Sequence, residues 1–501
     1  MSRPSARALL LTFSLAAILL GPVAGRAQDT TPGTPLTLEE CIARAMQKNF
    51  DLQIQAYSTD AAKESLVVAN TDFDPTITAS LNRSLSQAAS TTSRLDGTAA
   101  TGPRSDNTTT RLGISQKLAQ TNATVGLTTN LTRSATNSLN SLINPNFGDT
   151  LTATVSQPLL KNFGSAVARA NVERTKLGVG IANLGYKSRV LTVLRDTENA
   201  YNNLVSARET VRIRQLSLDL AQKLYDENVA RRNTGVLTDL DVLSAEVGVA
   251  NARRAVVQAD QGVRTAEDSL LTLINADDFN KRPGPVNFPE YKDPAPSFDV
   301  SYKLARDSYP DYLSAVESIK QLEIDAATAR KNRLPSLNLD GSLGYNATDR
   351  SYSDVVGALP NHHGNNWSLG LTYTMPWGMR ADNSRYRTAL ISLNSQKARL
   401  AQLDQSLLVQ VRAAIDSVQT NRVSVEIASK ATELSEKQYE LQKARFDAGL
   451  STSRLVLQAQ DDLETARLAE LTAKVTLRTS VAELHRLEGT SIARFKVQIP
   501  E

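Results

Sequence analysis

Residues 231–246 read RRNTGVLTDLDVLSAE, and this stretch places a single turn at Gly235 inside a long helix-forming segment. The same design returns at residues 445–460, which read RFDAGLSTSRLVLQAQ. With Gly235 aligned to Gly449, identical residues match on both sides of the turn: Tyr225 with Tyr439, Ala230 with Ala444, Arg231 with Arg445, Thr238 with Thr452, Val242 with Val456, Leu243 with Leu457, and Ala245 with Ala459. Two copies of one helix–turn–helix tip predict a duplicated chain, and internal repeats decide the architecture.

The composition excludes several classes of protein. A chain of 501 residues can hold a few ordinary domains or one elongated unit. Its hydrophobic content of 41% is too low for a polytopic helical membrane protein. The 56 basic and 52 acidic residues are scattered, which gives no support to nucleic-acid binding.

The N-terminus has the pattern of an export signal. Two arginines precede the apolar run 8–20, and small residues surround Ala27, so residues 1–27 are predicted to be a secretory signal peptide. A membrane anchor is the alternative, and the short run disfavours it. The single Cys41 cannot form an internal disulfide. It lies in a helical pattern well beyond the cleavage site, which predicts a small buried helix residue rather than a lipid attachment point.

The first repeat is predicted to span residues 28–275. Its helices cover about 37–70 and begin with a capping box of Thr37 and Glu40. Strands follow at about 75–157, separated by polar loops such as about 84–107, and long helices occupy about 165–275. Within the strands, apolar and polar residues alternate with period two. The apolar members are Ile77, Ala79, Leu81, Leu112, Ile114, Val125, Leu127, Leu131, Leu151, Ala153 and Val155.

The second repeat is predicted to span residues 298–489, after a proline-rich linker at 276–297. It has helices at about 298–331, strands at about 336–375, and long helices at about 382–487. A polar loop with His362 and His363 separates its two alternating segments, and the tail 490–501 is expected to be irregular.

Helix lengths carry a further inference about packing. The helix 165–232 would be ~100 Å long, whereas the return helix 238–275 would reach only ~57 Å. The helix 51–69 would supply much of the missing length if it stacked end to end on the return helix.

The alternating strands suit a barrel with lipid outside and water inside. An ordinary antiparallel sheet with one wet face gives the same alternation, but the export signal and the duplicated placement between long helices favour the barrel. Four to six strands from one chain cannot close a wide barrel, so several protomers are needed. Four aromatic residues near strand ends are candidates for the membrane interface: Tyr345, Trp367, Tyr373 and Trp377. Periodicity leaves open whether the helical rods form a solid bundle or a hollow cylinder.

Four motifs resemble those of the TolC family of outer-membrane efflux and secretion channels. They are LTLEECIARA at 36–45, QPLLKNFG at 157–164, TGVLTDLDVL at 234–243 and AGLSTSRLVL at 448–457. The resemblance implies a mixed α+β membrane protein, with a long antiparallel α-helical coiled-coil barrel and a transmembrane β-barrel completed by trimerisation. It also implies a passive channel of a tripartite efflux or type I secretion system, in the bacterial outer membrane with a large periplasmic portion. Its partners would be two further copies of itself, a periplasmic adaptor (membrane fusion) protein, an inner-membrane transporter and outer-membrane lipid.

The chain departs from the family between Pro75 and Pro158. The family usually places two strands and a loop there, whereas this sequence has extra alternating segments at about 108–134. Either the barrel gains strands or a hairpin extends outside the cell.

The helical tips carry two site hypotheses. In the family, acidic residues at the tips can constrict the periplasmic entrance, and Asp241 matches one such position, with Asp239 beside it; the second tip has Leu455 and Gln458 instead. Alternatively, Asp239 simply caps or solvates a helix start. Adaptor contact is expected at both turns, where Leu237 and Leu450 should be exposed; the candidate residues are Arg231, Gly235, Val236, Leu237, Arg445, Gly449 and Leu450. The glycines are also what any helix-ending turn needs.

No catalytic residue, cofactor site or metal site is predicted, so the protein is not expected to be an enzyme. His362 and His363 lack nearby cysteine or acidic ligands, and no nucleotide-binding glycine loop or nucleophile elbow stands out. The alternative to a channel is a periplasmic coiled-coil adaptor or scaffold without a pore. The sequence does not specify the exported substrate.

Overall fold

A computed structural model describes residues 36–89, 102–138, 141–276, 279, 282–289, 296–358 and 364–498. The predicted signal peptide and the pair His362 and His363 lie outside the described residues.

The helices and strands follow one another in two similar series. The first contains α1 (Leu38–Lys48), α2 (Phe50–Asn70), β1 (Thr76–Gln87), β2 (Arg104–Lys117), β3 (Thr124–Thr136), β4 (Asn146–Pro158), α3 (Ser165–Ala168), α4 (Ala170–Asn233) and α5 (Asp239–Leu273). The second contains α6 (Phe298–Ser308), α7 (Pro310–Lys331), β5 (Ser336–Asp349), α8 (Tyr352–Ala358), β6 (Gly364–Thr374), α9 (Arg380–Asp447), α10 (Ser453–Glu488) and α11 (Ser491–Arg494).

Four helical rods lie side by side in one layer. One face of α4 packs against α2 and α5, and another packs against α7 and α10, which in turn pack against α9. The order across the layer is therefore α2 with α5, then α4, then α7 with α10, then α9. No helix in the described ranges combines the length and the apolar character needed to cross a bilayer.

The shorter helices meet end to end, as the helix lengths predict. The Asn49 side-chain amide donates to the Leu273 carbonyl at 2.9 Å, and the Asn275 amide donates to the Lys48 carbonyl at 3.2 Å. Asn49 also caps α2, because its side-chain oxygen accepts from the backbone N–H groups of the first turn. Together α2 and α5 span the length of α4.

A core forms at mid-height, where α1 packs on α4 beside the end of α5. Cys41 is fully buried there, as predicted, and burial raises the pKa of its thiol to about 12. The C-terminal tail also packs on this core through Ile492 and Phe495. The expectation that the tail is irregular is wrong for residues 491–494, which form α11, and Arg494 pairs with buried Glu198 at 3.1 Å.

All six strands form one antiparallel sheet in the order β1 to β6. Directly paired residues share a face of the sheet, so the register decides which side chains lie together. One row of paired residues is apolar across all strands: Ile77, Ile114, Leu127, Ala153, Leu343 and Trp367. The neighbouring row, on the opposite face, is Thr78, Gly113, Thr128, Thr152, Gly344 and Asn366. Every alternating segment of the first half therefore joins the sheet.

Two loops are shorter than predicted. The polar loop expected at about 84–107 begins after Gln87 and ends before Arg104, because these two residues still pair across the ladder and Arg83 forms a 2.8 Å ion pair with Asp106. The loop expected between β5 and β6 contains α8. Its Tyr352 ring contacts the Phe147 ring edge-on at 4.6 Å, so α8 packs on the end of β4.

Candidate functional site at the helical tips

The turn between α4 and α5 has the geometry of a Schellman motif. Gly235 has φ +78°, its N–H donates to the Arg232 carbonyl at 2.9 Å, and the Val236 N–H donates to the Arg231 carbonyl at 2.9 Å. These bonds satisfy carbonyl groups that a helix end would otherwise leave unpaired.

The turn between α9 and α10 repeats this geometry. Gly449 has φ +75°, its N–H donates to the Phe446 carbonyl at 3.0 Å, and the Leu450 N–H donates to the Arg445 carbonyl at 2.8 Å. Only glycine adopts this conformation without steric cost, so helix termination fully explains both glycines.

Ion pairs join the two tips of the chain. The Arg231 guanidinium donates to the Phe446 carbonyl at 2.9 Å, to Asp447 at 3.0 Å and to Glu227 at 2.6 Å, and it lies 4.5 Å from the Phe446 ring centroid. The Lys443 ammonium bonds both Glu227 and Asp447, and its hydrogen bond holds the pKa of Asp447 below the ordinary value. Arg231 is thus engaged within the chain. Sequence reasoning missed this network, although Glu227–Arg231 and Lys443–Asp447 both have the i,i+4 spacing typical of helix ion pairs.

A small apolar cluster supports the tips. Leu224, Phe446 and Val456 are buried, and Leu237 packs against them half-buried. The expectation that Leu237 is exposed is therefore wrong, because the turn folds its side chain back onto the cluster. Leu450 is 76% exposed, as expected.

Asn228 connects three helices just inside the tips. It is fully buried, and its side-chain amide donates to the Asp241 carbonyl at 3.1 Å and to the Ser453 hydroxyl at 2.6 Å. The bonds fix the starts of α5 and α10 against α4. Sequence reasoning missed this residue, since nothing in a helical pattern marks which asparagine is buried.

The two acidic candidates have local partners. The Asp241 carboxylate accepts from the Thr238 N–H at 3.1 Å and from the Thr238 hydroxyl at 2.6 Å, and it completes the capping box of α5. Asp239 is almost fully exposed and pairs with Arg232 at 3.2 Å. The second tip differs, since Thr452 makes no side-chain cap bond. These contacts give both aspartates a role at the helix start, and the entrance constriction stays a prediction.

The aromatic candidates lie at the sheet. Tyr345, Trp367 and Tyr373 share its apolar face by register, and Trp367 is 77% exposed. Trp377 follows β6 in a 3₁₀ turn over Trp377–Met379 and is also exposed. Within the described ranges, no three histidine, cysteine or acidic side chains converge as a metal site would require.

Comparison with known proteins identifies the family. The model of the outer membrane efflux protein family matches residues 119–276 and 301–490. The chain belongs to this family. Its localisation is that of the family, the bacterial outer membrane with a large periplasmic portion, and members are transport proteins rather than enzymes.

Individual relatives are distant in sequence. The outer membrane protein TolC of Escherichia coli is 22% identical over 332 residues, and the pyoverdine export outer membrane protein OpmQ of Pseudomonas aeruginosa is 25% identical over 323 residues. Both alignments cover 61% of this chain and 64% of the relative, so the match spans just under two thirds of each relative. The CmeC outer membrane channel of Campylobacter jejuni has the same fold, with a TM-score of 0.67 and 18% identity over 96% of this chain and 94% of that one.

Proposed function

We propose that this protein is the passive outer-membrane channel of a tripartite efflux system, in which three chains close a β-barrel and a hollow α-helical tunnel. The observation that carries the proposal is that the sheet and the helical layer are both open at the same two sides. Because β1 follows α2 and β6 precedes α9, each side joins one edge strand to one edge rod. The similar order of elements on either side of the linker supports two structural repeats within each chain.

Both outer rods present unpartnered apolar seams. On α9 the exposed members are Ile391, Val409, Val423, Ile427, Leu434 and Leu441, and most are separated by multiples of about seven residues or by four. On the opposite edge they are Ile54 and Tyr57 of α2 and Leu240, Leu243 and Val247 of α5. Such spacing is typical of helices that pack against other helices. Cyclic closure buries one seam against the other and leaves the centre hollow.

The sheet supports the same closure. Its apolar face is exposed, with Ile77 at 79% and Leu369 at 68%, whereas the other face carries mainly serine, threonine, asparagine and glycine. Such an apolar face is stable in contact with lipid. Lipid cannot, however, form hydrogen bonds with the unpaired backbone N–H and C=O groups along the edges of β1 and β6. Pairing β6 of one chain with β1 of the next removes both edges. A scaffold without a pore, the second candidate, has no use for this exposed face.

The tips are proposed as the periplasmic entrance and the adaptor-docking surface. Val236 and Leu450 are the exposed apolar residues of the two turns, with Arg445 exposed beside Leu450. A periplasmic adaptor protein that binds there would link the channel to an inner-membrane transporter.

Fractionation combined with electrical recording tests the proposal. We expect heat-modifiable trimers in the outer-membrane fraction that give stepwise conductance in planar bilayers. Recovery as a soluble periplasmic protein without conductance would instead support the scaffold.

A matched pair of variants tests which face meets lipid. Leu369→Arg puts a charge on the apolar face, where it costs about 2–4 kcal/mol at the bilayer midplane, so membrane insertion should fall. Ser368→Arg puts the same charge on the polar face and should leave insertion intact. Equal insertion of the two variants would contradict the assignment of faces.

A further inference from the structure

We infer that the barrel of this protein has eighteen strands, six from each of three chains, and that its lumen is about half as wide again as that of a twelve-stranded barrel. The inference rests on the proposed trimeric channel. It concerns β2 and β3, the hairpin that occupies residues 104–136 and has no counterpart among the described strands of the second half.

The hairpin lies in the same apolar band as the other strands. Ile114 of β2 pairs with Ile77 on one side and with Leu127 of β3 on the other, and Leu127 pairs with Ala153 of β4. The ladder between β1 and β2 runs the full length from Thr76 to Gln87. A hairpin that projected beyond the membrane would expose these apolar side chains to water, which is unfavourable. The alternation of β2 and β3 therefore belongs to the wall of the barrel.

The strand number allows closure. With six consecutive antiparallel strands, β1 and β6 run in opposite directions, so β6 can pair with β1 of the next chain and continue the antiparallel pattern. Both edge strands are exposed along their whole length, and neither is blocked by another described element.

The apolar band also slopes across the sheet. Trp367 is level with Ile77 through the register. From that row, the band on β1 continues away from the helices to Leu81, beyond which Arg83 and Asp106 occupy the same face, whereas on β6 it continues toward the helices to Tyr373. A band that is level in a membrane must slope along a ladder whose strands are tilted, and tilt is a requirement of barrel closure.

The circumference matches the helical tunnel. Eighteen strands that are ~4.8 Å apart and tilted by ~40° enclose roughly 110 Å. Three layers of four rods at ~8–10 Å spacing need roughly 100–120 Å. Twelve strands under the same assumptions would reach only roughly 75 Å. Six strands for every four rods therefore let the barrel continue the tunnel without narrowing, which suits bulkier solutes.

Cysteine accessibility tests the position of the hairpin. Leu127→Cys and Thr128→Cys are introduced separately into trimers in lipid nanodiscs, which are treated with a membrane-impermeant maleimide. The native Cys41 is fully buried and should not react. We expect the cysteine at residue 127, which faces lipid, to remain unlabelled and the cysteine at residue 128, which faces the lumen, to be labelled. Labelling of both would place the hairpin outside the bilayer and overturn the inference.

Matched positions on β5 separate this failure from failure of the channel itself. Leu343→Cys lies in the same row as Leu127, and Ser342→Cys lies on the polar face. If residue 343 is protected and residue 127 is labelled, the hairpin lies outside the barrel but the barrel itself stands. If residues 343 and 127 are both labelled, the sheet does not form a barrel in lipid, and the proposed channel fails. Electron cryomicroscopy of the same trimers should show eighteen strands, and a count of twelve would reject the inference while leaving the trimeric channel intact.

Discussion

The carboxylate of Asp241 has two proposed roles at one position. It accepts the Thr238 bonds that start α5, and it lies at the tip where a ring of charge would narrow the entrance of a trimer. Substitution by alanine alone would confuse the two roles, because it removes both the charge and the cap.

Three variants separate the roles. Asp241→Asn removes the charge but keeps an oxygen acceptor for the cap, so a gating carboxylate predicts higher conductance or altered cation response in bilayer recordings. Thr238→Ala weakens the cap by about 1 kcal/mol and keeps the charge, so it should lower thermal stability without changing conductance. Asp241→Ala should show both effects. Unchanged conductance in Asp241→Asn would reject the gate.

At the scale of single elements, the linker stretch 282–289 is bound to the helical layer by side chains of α4. The Arg208 guanidinium donates to the Gly284 carbonyl at 2.5 Å, to the Pro283 carbonyl at 2.8 Å and to the buried Glu267 at 2.8 Å. The Tyr201 hydroxyl donates to the Asn287 carbonyl at 3.0 Å. A segment without regular secondary structure is thereby fixed by side chains of α4.

Arg208→Ala should weaken the attachment of the linker stretch 282–289 to α4. The change leaves Glu267 without its cation and two carbonyls without donors, so we expect a loss of about 3 kcal/mol in protomer stability and new proteolytic cleavage within 282–289. Arg208→Lys keeps the charge beside Glu267 but lacks the forked guanidinium that reaches several acceptors. Its stability and its cleavage rate should therefore lie between those of the unaltered protein and those of Arg208→Ala. An unchanged cleavage pattern in Arg208→Ala would show that the linker is held by other contacts.

Local patterns carried much of the element-scale prediction. The period of two in Thr76–Asn82, the glycines of the tips and the missing length of α5 are all local, and they predicted the strands, the turns and the end-to-end stacking. The half-burial of Leu237, the helix α8 and the tip ion pairs were missed. The half-burial of Leu237, the packing of α8 and the contacts between the two tips depend on partners far along the chain, such as Phe446 beside Arg231, and no local period records such a contact. The two i,i+4 ion pairs within the tip helices were local and could have been predicted from their spacing.

For the whole molecule, cyclic closure makes a specific demand on the exposed seam of α9. Ile427→Glu should lower the temperature at which trimers dissociate on gels, because burial of an isoleucine contributes about 2 kcal/mol at each interface. The protomer should still fold, since this side chain is exposed within the chain.

Ser429→Glu is the matched control for this seam. It adds the same charge at an exposed polar position two residues away on the same helix, roughly opposite around the helix axis, so trimers should keep their dissociation temperature. Equal effects of the two variants would argue against burial of the seam.

The four rods differ in how they would respond to torque. Every turn of α4 and α9 is crossed by backbone hydrogen bonds from the sheet to the tips, whereas the rod beside α4 is interrupted between α2 and α5, where the amides of Asn49 and Asn275 bridge the gap. A twist applied at the tips would therefore be transmitted along the continuous helices α4 and α9. The rod of α2 and α5 can instead change its angle where the two helices meet. The strands would turn with α4 and α9, and the junction of α2 and α5 would be the place where the neighbouring rod deforms.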